Sequence, residues 1–204
     1  MVRTTWFVTT LSACFGLLSC SVGYAGTLNL HGDALPGWTG TIPFSSGNLM
    51  GTIDYAVFTA ADFNANFAGE GYVPGGPVVY TYQVFNTGTD HVSTEIVGIV
   101  NPANTIGTFD TPEINDVNAL TAAFVGTNAQ WFFDPAIDTG ESSWGLAFSS
   151  PNLPMVGAGV TINGGSGVIV AGLPTPSDIP IPEPASIALL ACGGLMTFLR
   201  RRWN

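Results

Sequence analysis

The stretch that decides the fold is residues 78–100, Val-Val-Tyr-Thr-Tyr-Gln-Val-Phe-Asn-Thr-Gly-Thr-Asp-His-Val-Ser-Thr-Glu-Ile-Val-Gly-Ile-Val. Residues 78–85 and 92–100 are rich in β-branched and aromatic side chains, and both segments alternate with the period of a strand. Residues 86–90, between them, are typical of a turn. Two such segments joined by a short Asn/Gly/Asp turn predict a β-hairpin.

Comparable short segments flank this hairpin. Strands are predicted at residues 27–31, 49–58, 129–133 and 142–149, with a last hairpin of residues 160–162 and 168–170. Turn-rich segments separate them at residues 32–47, 69–77, 101–111, 134–141 and 151–157. About seven or eight short strands predict an all-β fold, a single antiparallel β-sandwich of the immunoglobulin-like or jelly-roll-like kind. The pattern Tyr82-x-Val84-x-Asn86-x-Gly88 resembles a strand and turn of bacterial immunoglobulin-like domains, which implies the same fold.

Two short helices are predicted between the strands. Thr59 can cap a helix over residues 59–67, where Phe63 and Phe67 lie on one face because they are four residues apart. Residues 112–124 have helical spacing of apolar side chains after a proline that suits a first helical turn.

The charge pattern excludes a class of partner. The basic residues are Arg3 and Arg200 to Arg202, so the chain between them has no lysine or arginine and carries all fourteen acidic residues. Such a body repels phosphate, and we predict that no nucleic acid binds it. It also lacks the cationic groups that commonly bind nucleotide phosphates or substrate carboxylates.

Residues 1–25 are predicted to be a secretory signal peptide. Arg3 supplies the positive start, residues 6–18 are an apolar segment of suitable length, and signal peptidase is expected to cleave between Ala25 and Gly26.

The cysteines leave one alternative open at this end. Residues 17–20 resemble a lipoprotein box, in which Cys20 would be lipidated and become the new N-terminus. The other two cysteines, Cys14 and Cys192, also lie in apolar terminal segments, so the exported body has no disulfide to form.

The rest of the chain divides into three parts. We predict a secreted β-sandwich domain at residues 26–171, an extended proline-rich linker at residues 172–181 and a C-terminal signal at residues 182–204. Residues 185–199 are uncharged and would span about 22 Å as a helix, against a hydrocarbon core of about 30 Å. Basic residues 200–202 would extend this span at the headgroups and hold it with the body outside, so a transmembrane helix is predicted at residues 185–199.

The C-terminal signal resembles a known family. Pro182, Glu183 and Pro184 precede the apolar segment, and Arg200, Arg201 and Arg202 follow it at the extreme C-terminus. This order and spacing resemble the PEP-CTERM sorting signal of bacterial surface proteins, a region also labelled the ice-binding protein C-terminal domain. The resemblance implies an exosortase, a membrane cysteine protease, as a partner. It also implies cleavage near the triplet and delivery to the cell surface or exopolysaccharide matrix. An ordinary C-terminal membrane anchor is the alternative.

The body offers few candidates for chemistry. His31 and His91 lie beside polar turn or strand-end residues, without a second histidine at metal-ligand spacing. The sequence contains no GxSxG or HExxH motif. We therefore predict no catalytic residue, no bound cofactor and no enzymatic activity, with a secreted hydrolase as the third hypothesis.

Two binding hypotheses remain open. Calcium would need oxygen ligands from one of two acidic clusters, namely Asp110, Glu113 and Asp116, or Asp134, Asp138 and Glu141. Carbohydrate would need exposed aromatic side chains, for which the candidates are Trp38, Trp131 and Trp144. Because Trp131 and Phe132 point to opposite faces of a strand, at least one of Trp131 and Trp144 is expected in the core.

Together these features predict an exported, non-enzymatic protein of the bacterial envelope or extracellular matrix. It would be processed by signal peptidase and an exosortase and would have a structural or adhesive role with exopolysaccharide. The alternative is a carbohydrate- or calcium-binding module.

Overall fold

The computed structural model describes residues 28–99, 101–111 and 116–181, with the side chain of Asn29 left out. The predicted signal peptide with its cleavage site at Ala25 and Gly26, and the sorting signal with its helix at residues 185–199, lie outside these residues. Within them, the chain is a β-sandwich of two sheets, as the spacing of strands and turns predicts. None of the helices in this part of the chain is long and apolar enough to cross a membrane.

The first sheet has seven strands, in the order β1-β2-β3-β10-β5, with β9 beside β3 and β6 beside β9. The strands are β1 (Thr39–Ser46), β2 (Leu49–Thr59), β3 (Val78–Asn86), β5 (Ile106–Phe109), β6 (Asp116–Val117), β9 (Ser142–Ser143) and β10 (Gly145–Ser150). The pairs along the main order are antiparallel, and the two-residue pair of β6 and β9 is parallel.

The second sheet has five strands, in the order β12-β11-β4-β8-β7, and all its pairs are antiparallel. The strands are β4 (Val92–Gly98), β7 (Thr121–Val125), β8 (Asn128–Ile137), β11 (Asn152–Asn163) and β12 (Ser166–Pro180). The hairpin predicted around residues 160–170 is confirmed, because β11 and β12 are joined at Asn163 and Ser166.

The space between the sheets is filled by an aromatic core. Tyr80 and Phe148 stack with ring centroids 4.9 Å apart, and Trp131 of the opposite sheet lies 6.4 Å from Phe148. All three side chains are fully buried. The structure therefore confirms that Trp131 is a core residue.

The predicted hairpin of residues 78–100 is wrong in its pairing. Both strands exist, but β3 pairs with β2 and β10 while β4 pairs with β8 and β11 in the other sheet. Asn86 stabilises the connection that crosses from the first sheet to the second, because its side-chain amide donates to the carbonyls of Asp90 and Ile137, each at 2.9 Å. Alternation separated the two faces of each strand, but it did not show which strand is the neighbour.

The short helix after β2 is confirmed as α1 (Ala60–Phe67). The Thr59 side chain caps it by accepting a hydrogen bond from the Asp62 amide at 3.1 Å. Phe63 and Phe67 pack against Phe58, so α1 and the 3-10 helix Leu28–Leu30 cover the outer surface of the first sheet.

Several other local predictions are wrong. Residues 28–30 form the 3-10 helix rather than a strand, and segments predicted as loops contain β1, β5 and the first half of β11. The helix predicted at residues 112–124 is also wrong where the chain is described, because β6 and β7 occupy that part. β5 and β6 pair with the distant strands β10 and β9, which local propensity does not reveal. β1 and β7 instead form hairpins with the strands that directly follow them.

The proline-rich linker predicted at residues 172–181 is wrong, because β12 continues to Pro180. Leu173 is fully buried, and the Tyr82 hydroxyl donates to the carbonyl of Pro174. β12 is an edge strand, where prolines are tolerated because no neighbouring strand needs their missing N–H on the outer side. The sandwich domain therefore extends beyond the predicted boundary at residue 171.

Candidate functional site

The two histidines lie in different surroundings. His31 is half-buried against Phe58 and Phe67, with ring centroids 5.7 and 5.0 Å away. Burial lowers the pKa of its imidazole, and the nearby Asp33 carboxylate partly opposes this. His91 is exposed before β4. Among the described residues, no three His, Cys, Asp or Glu side chains form a group that could hold a metal ion.

In the first acidic cluster, Asp116 is bound by hydroxyl groups. Thr111 donates to its Oδ2 at 2.6 Å, and Ser142 donates to its Oδ1. Burial raises the pKa of the Asp116 carboxyl, and these hydrogen bonds oppose the shift. Asp110 is exposed, and Glu113 lies outside the described residues. The Asp116 carboxylate therefore connects β6 to β9.

In the second acidic cluster, Glu141 stabilises its own turn. Its Oε2 accepts a hydrogen bond from the backbone amide of Asp138 at 2.9 Å, and Gly140 between them has a φ of 82°. Asp134 and Asp138 are exposed.

The three tryptophans do not form one stacking platform. Trp131 is fully buried, and its indole N–H donates to the carbonyl of Gly107 at 2.9 Å. Trp38 is half-buried and packs against the core between the sheets, and Trp144 is half-buried between β9 and β10. A carbohydrate platform made of all three is therefore excluded.

A buried carboxyl that the sequence analysis missed lies between the sheets. Glu95 of β4 is fully buried and accepts a hydrogen bond from the Thr161 hydroxyl at 2.7 Å, while its Oε1 has no hydrogen-bond partner among the described residues. Burial raises the pKa of Glu95 to about 8, with the Thr161 hydrogen bond acting in the opposite direction. The sequence could have revealed this burial, because Glu95 alternates in step with Val97 and Ile99 and therefore lies on the same face of the strand.

The most extensive candidate for binding is the outer surface of the second sheet. Its side chains form rows across the five strands. The rows are Ile169, Val160, Ile96, Gln130 and Ala123; Gly167, Ile162, Thr94, Phe132 and Thr121; and Ala171, Ala158, Gly98, Asn128 and Val125. We call these residues the uncharged face, since none of them is acidic or basic.

Side-chain positions confirm that the uncharged face points to solvent. A Cβ placed on Gly167 would meet the side chains of Val160 and Ile162, so all three project to the same side. Ile169 is 76% exposed and Phe132 is 44% exposed. The corresponding surface of the first sheet is covered by α1 and the 3-10 helix, whereas the uncharged face has no such cover among the described residues.

A groove of about 580 Å³ adjoins one end of the uncharged face. It shares Gly98 and Ala158 with that face and is also lined by Met155 and Pro176. Asp178 stands at the groove and Asp134 follows Phe132 along β8, so acidic side chains lie at the rim of the face rather than on it. Chemically, the whole surface suits an uncharged or apolar partner.

The residues of the predicted sorting signal, Pro182, Glu183, Pro184, Arg200, Arg201 and Arg202, lie outside the described residues. Comparison with protein-family models, with curated proteins and with solved structures finds no match for this chain.

Proposed function

We propose that this protein is an exported, non-enzymatic component of the bacterial cell surface or extracellular matrix, with a structural or adhesive role in association with exopolysaccharide. The observation that carries the structural role is the uncharged face, a broad surface with exposed apolar side chains such as Ile169 and Phe132. The association with exopolysaccharide rests on the resemblance of the C-terminal signal. Large exposed apolar patches on soluble domains mark sites of contact with other molecules.

The route to that location rests on the two ends of the chain. A signal peptide at residues 1–25 would direct export, and cleavage after Ala25 would release the N-terminus. The Pro182-Glu183-Pro184 triplet, a transmembrane helix at residues 185–199 and the basic residues after it would hold the protein briefly in the inner membrane. An exosortase would then cleave near the triplet.

The class of the sandwich forms part of the proposal. We infer that it is of the immunoglobulin-like or jelly-roll-like kind. The crossing from β3 to β4 between the sheets supports this, because both kinds contain Greek-key connections that change sheets.

Cell fractionation of the native host tests the sorting route. We expect the unaltered chain in the surface or matrix fraction and a variant with Pro182, Glu183 and Pro184 all replaced by alanine in the inner membrane. A matched control replaces Pro174 and Pro176, which lie within β12, and should be sorted normally if it folds. Surface delivery of the triplet variant at the normal level would contradict the proposed route.

A carbohydrate- or calcium-binding module is the alternative function. The exposed ring of Phe132 on the uncharged face favours carbohydrate, because aromatic rings stack on sugars. Glycan-array binding that is lost on Phe132→Ala, or a calcium-dependent rise in melting temperature, would support it. Neither effect is expected if the role is structural.

A further inference from the structure

We propose that the uncharged face is a self-association surface, which packs against the same face of a second copy of this chain. The inference gives the proposed structural role a partner, and it rests on that function only for its biological setting. Its physical basis is the charge, the chemistry and the size of the face.

Charge determines which surface two copies of this chain can bring together. The chain has a formal net charge of −10, and its acidic residues have no lysine or arginine to pair with between Thr4 and Leu199. Two copies that meet through other surfaces bring carboxylates together without compensation, which is unfavourable. The uncharged face reduces this repulsion, because Asp134 and Asp178 stand at its rim rather than on it.

The side chains of the face suit packing between sheets. Ile169, Val160 and Ile96 form a continuous aliphatic segment across β12, β11 and β4, and their register aligns them perpendicular to the strands. Two such surfaces can pack at about 10 Å, as the layers of a sandwich do. A polysaccharide is less suited to this surface, because Phe132 is the one aromatic residue in the rows and no second ring lies beside it to extend a stacking surface.

The size of the face predicts weak association. Five strands about 4.8 Å apart and three rows about 6.8 Å apart cover about 500 Å² on each copy, or about 1,000 Å² in total. This area lies at the lower limit for specific interfaces. We therefore expect a dissociation constant on the order of micromolar to millimolar.

A two-fold symmetric dimer predicts which residue of the face has the largest effect on association. β4 is the central strand of the sheet, and Ile96 lies in the middle row of the face. In a symmetric dimer, the same patch contacts itself, so a two-fold axis through the centre of the face brings Ile96 of both copies together. A charge at position 96 would then meet the same charge on the partner.

Sedimentation velocity on the full chain, over a concentration series, tests the proposal. We expect Ile96→Glu and Ile96→Lys each to weaken association at least tenfold, and an equimolar mixture of the two variants to restore it. The control is Val73→Glu, which adds the same charge on the opposite side of the molecule at a residue that is 77% exposed. Because the apolar termini are present in every variant, only differences between variants report on the face.

Circular dichroism and thermal melting check that each variant is folded. If the position 96 variants do not fold, Ile169→Glu replaces them, since Ile169 is 76% exposed on an edge strand. A monomeric unaltered chain at millimolar concentration would overturn the proposal, as would association that the face variants leave unchanged. Glycan binding by a monomer that is lost in these variants would also overturn it. Failure of export would refute the proposed function while leaving a measured dimer intact.

Discussion

Replacing Glu95 by glutamine should remove much of the pH dependence of this protein's stability. Glu95 is fully buried between the sheets, and its pKa is raised from an ordinary value of 4.5 to about 8. Below pH 4.5 the carboxyl is protonated in both the folded and the unfolded chain. Between the two pKa values, unfolding releases a proton, so rising pH favours the unfolded chain.

The magnitude follows from the difference between the two pKa values. One proton gives a slope of at most about 1.4 kcal/mol per pH unit, so a difference of about 3.5 units lowers the free energy of unfolding by at most about 5 kcal/mol by pH 8. That loss is comparable with the total stability of many domains. Glutamine has a similar shape and does not titrate, so the variant should lack this slope.

Urea unfolding of the full chain at intervals from pH 4.5 to 8.5 measures the effect. Asp54 and Asp116 have raised pKa values and act in the same direction as Glu95, whereas His31 has a lowered pKa and acts oppositely. The difference between the unaltered and variant curves isolates Glu95, because these groups are common to both. Glu70→Gln, at an exposed position, is the matched control. Parallel curves for the unaltered chain and Glu95→Gln would refute the reasoning.

Three further substitutions test other parts of the structure. Thr161→Val removes the hydrogen bond to Glu95, so the loss of stability should extend to higher pH in the same urea experiment. Thr59→Ala removes the cap of α1 and should lower the free energy of unfolding by about 1 kcal/mol, whereas Thr59→Ser should retain most of it. Trp131→Ala should cost about 3–5 kcal/mol in chemical denaturation, because it opens a cavity in the core, and a cost below about 1 kcal/mol would contradict its assigned place.

The parts of the fold that local patterns predicted are those stabilised by neighbours in sequence. The α1 helix follows from the Thr59 cap and two phenylalanines four residues apart, and the β11–β12 hairpin follows from its Asn-Gly-Gly turn. The β3–β4 hairpin was wrong because the two edges of β3 pair with β2 and β10, while β4 lies in the other sheet. Alternation carries no information about those partners.

The candidate site was harder to predict than the fold. The alternation that places Trp131 in the core also places Phe132 on the outside, so one residue of the uncharged face was visible in the sequence. The rows themselves depend on the register of five strands, which come from distant parts of the chain. The second half of β12 was not predicted as a strand because of its prolines, which are typical of linkers but are tolerated on an edge strand.

The mass of the mature protein, isolated from the surface or matrix of its native host, tests the proposed function most directly. Export followed by sorting predicts a chain that begins at Gly26 and ends near Pro184, without residues 185–204. If residues 185–204 remain attached in most molecules, the account of exosortase processing is contradicted.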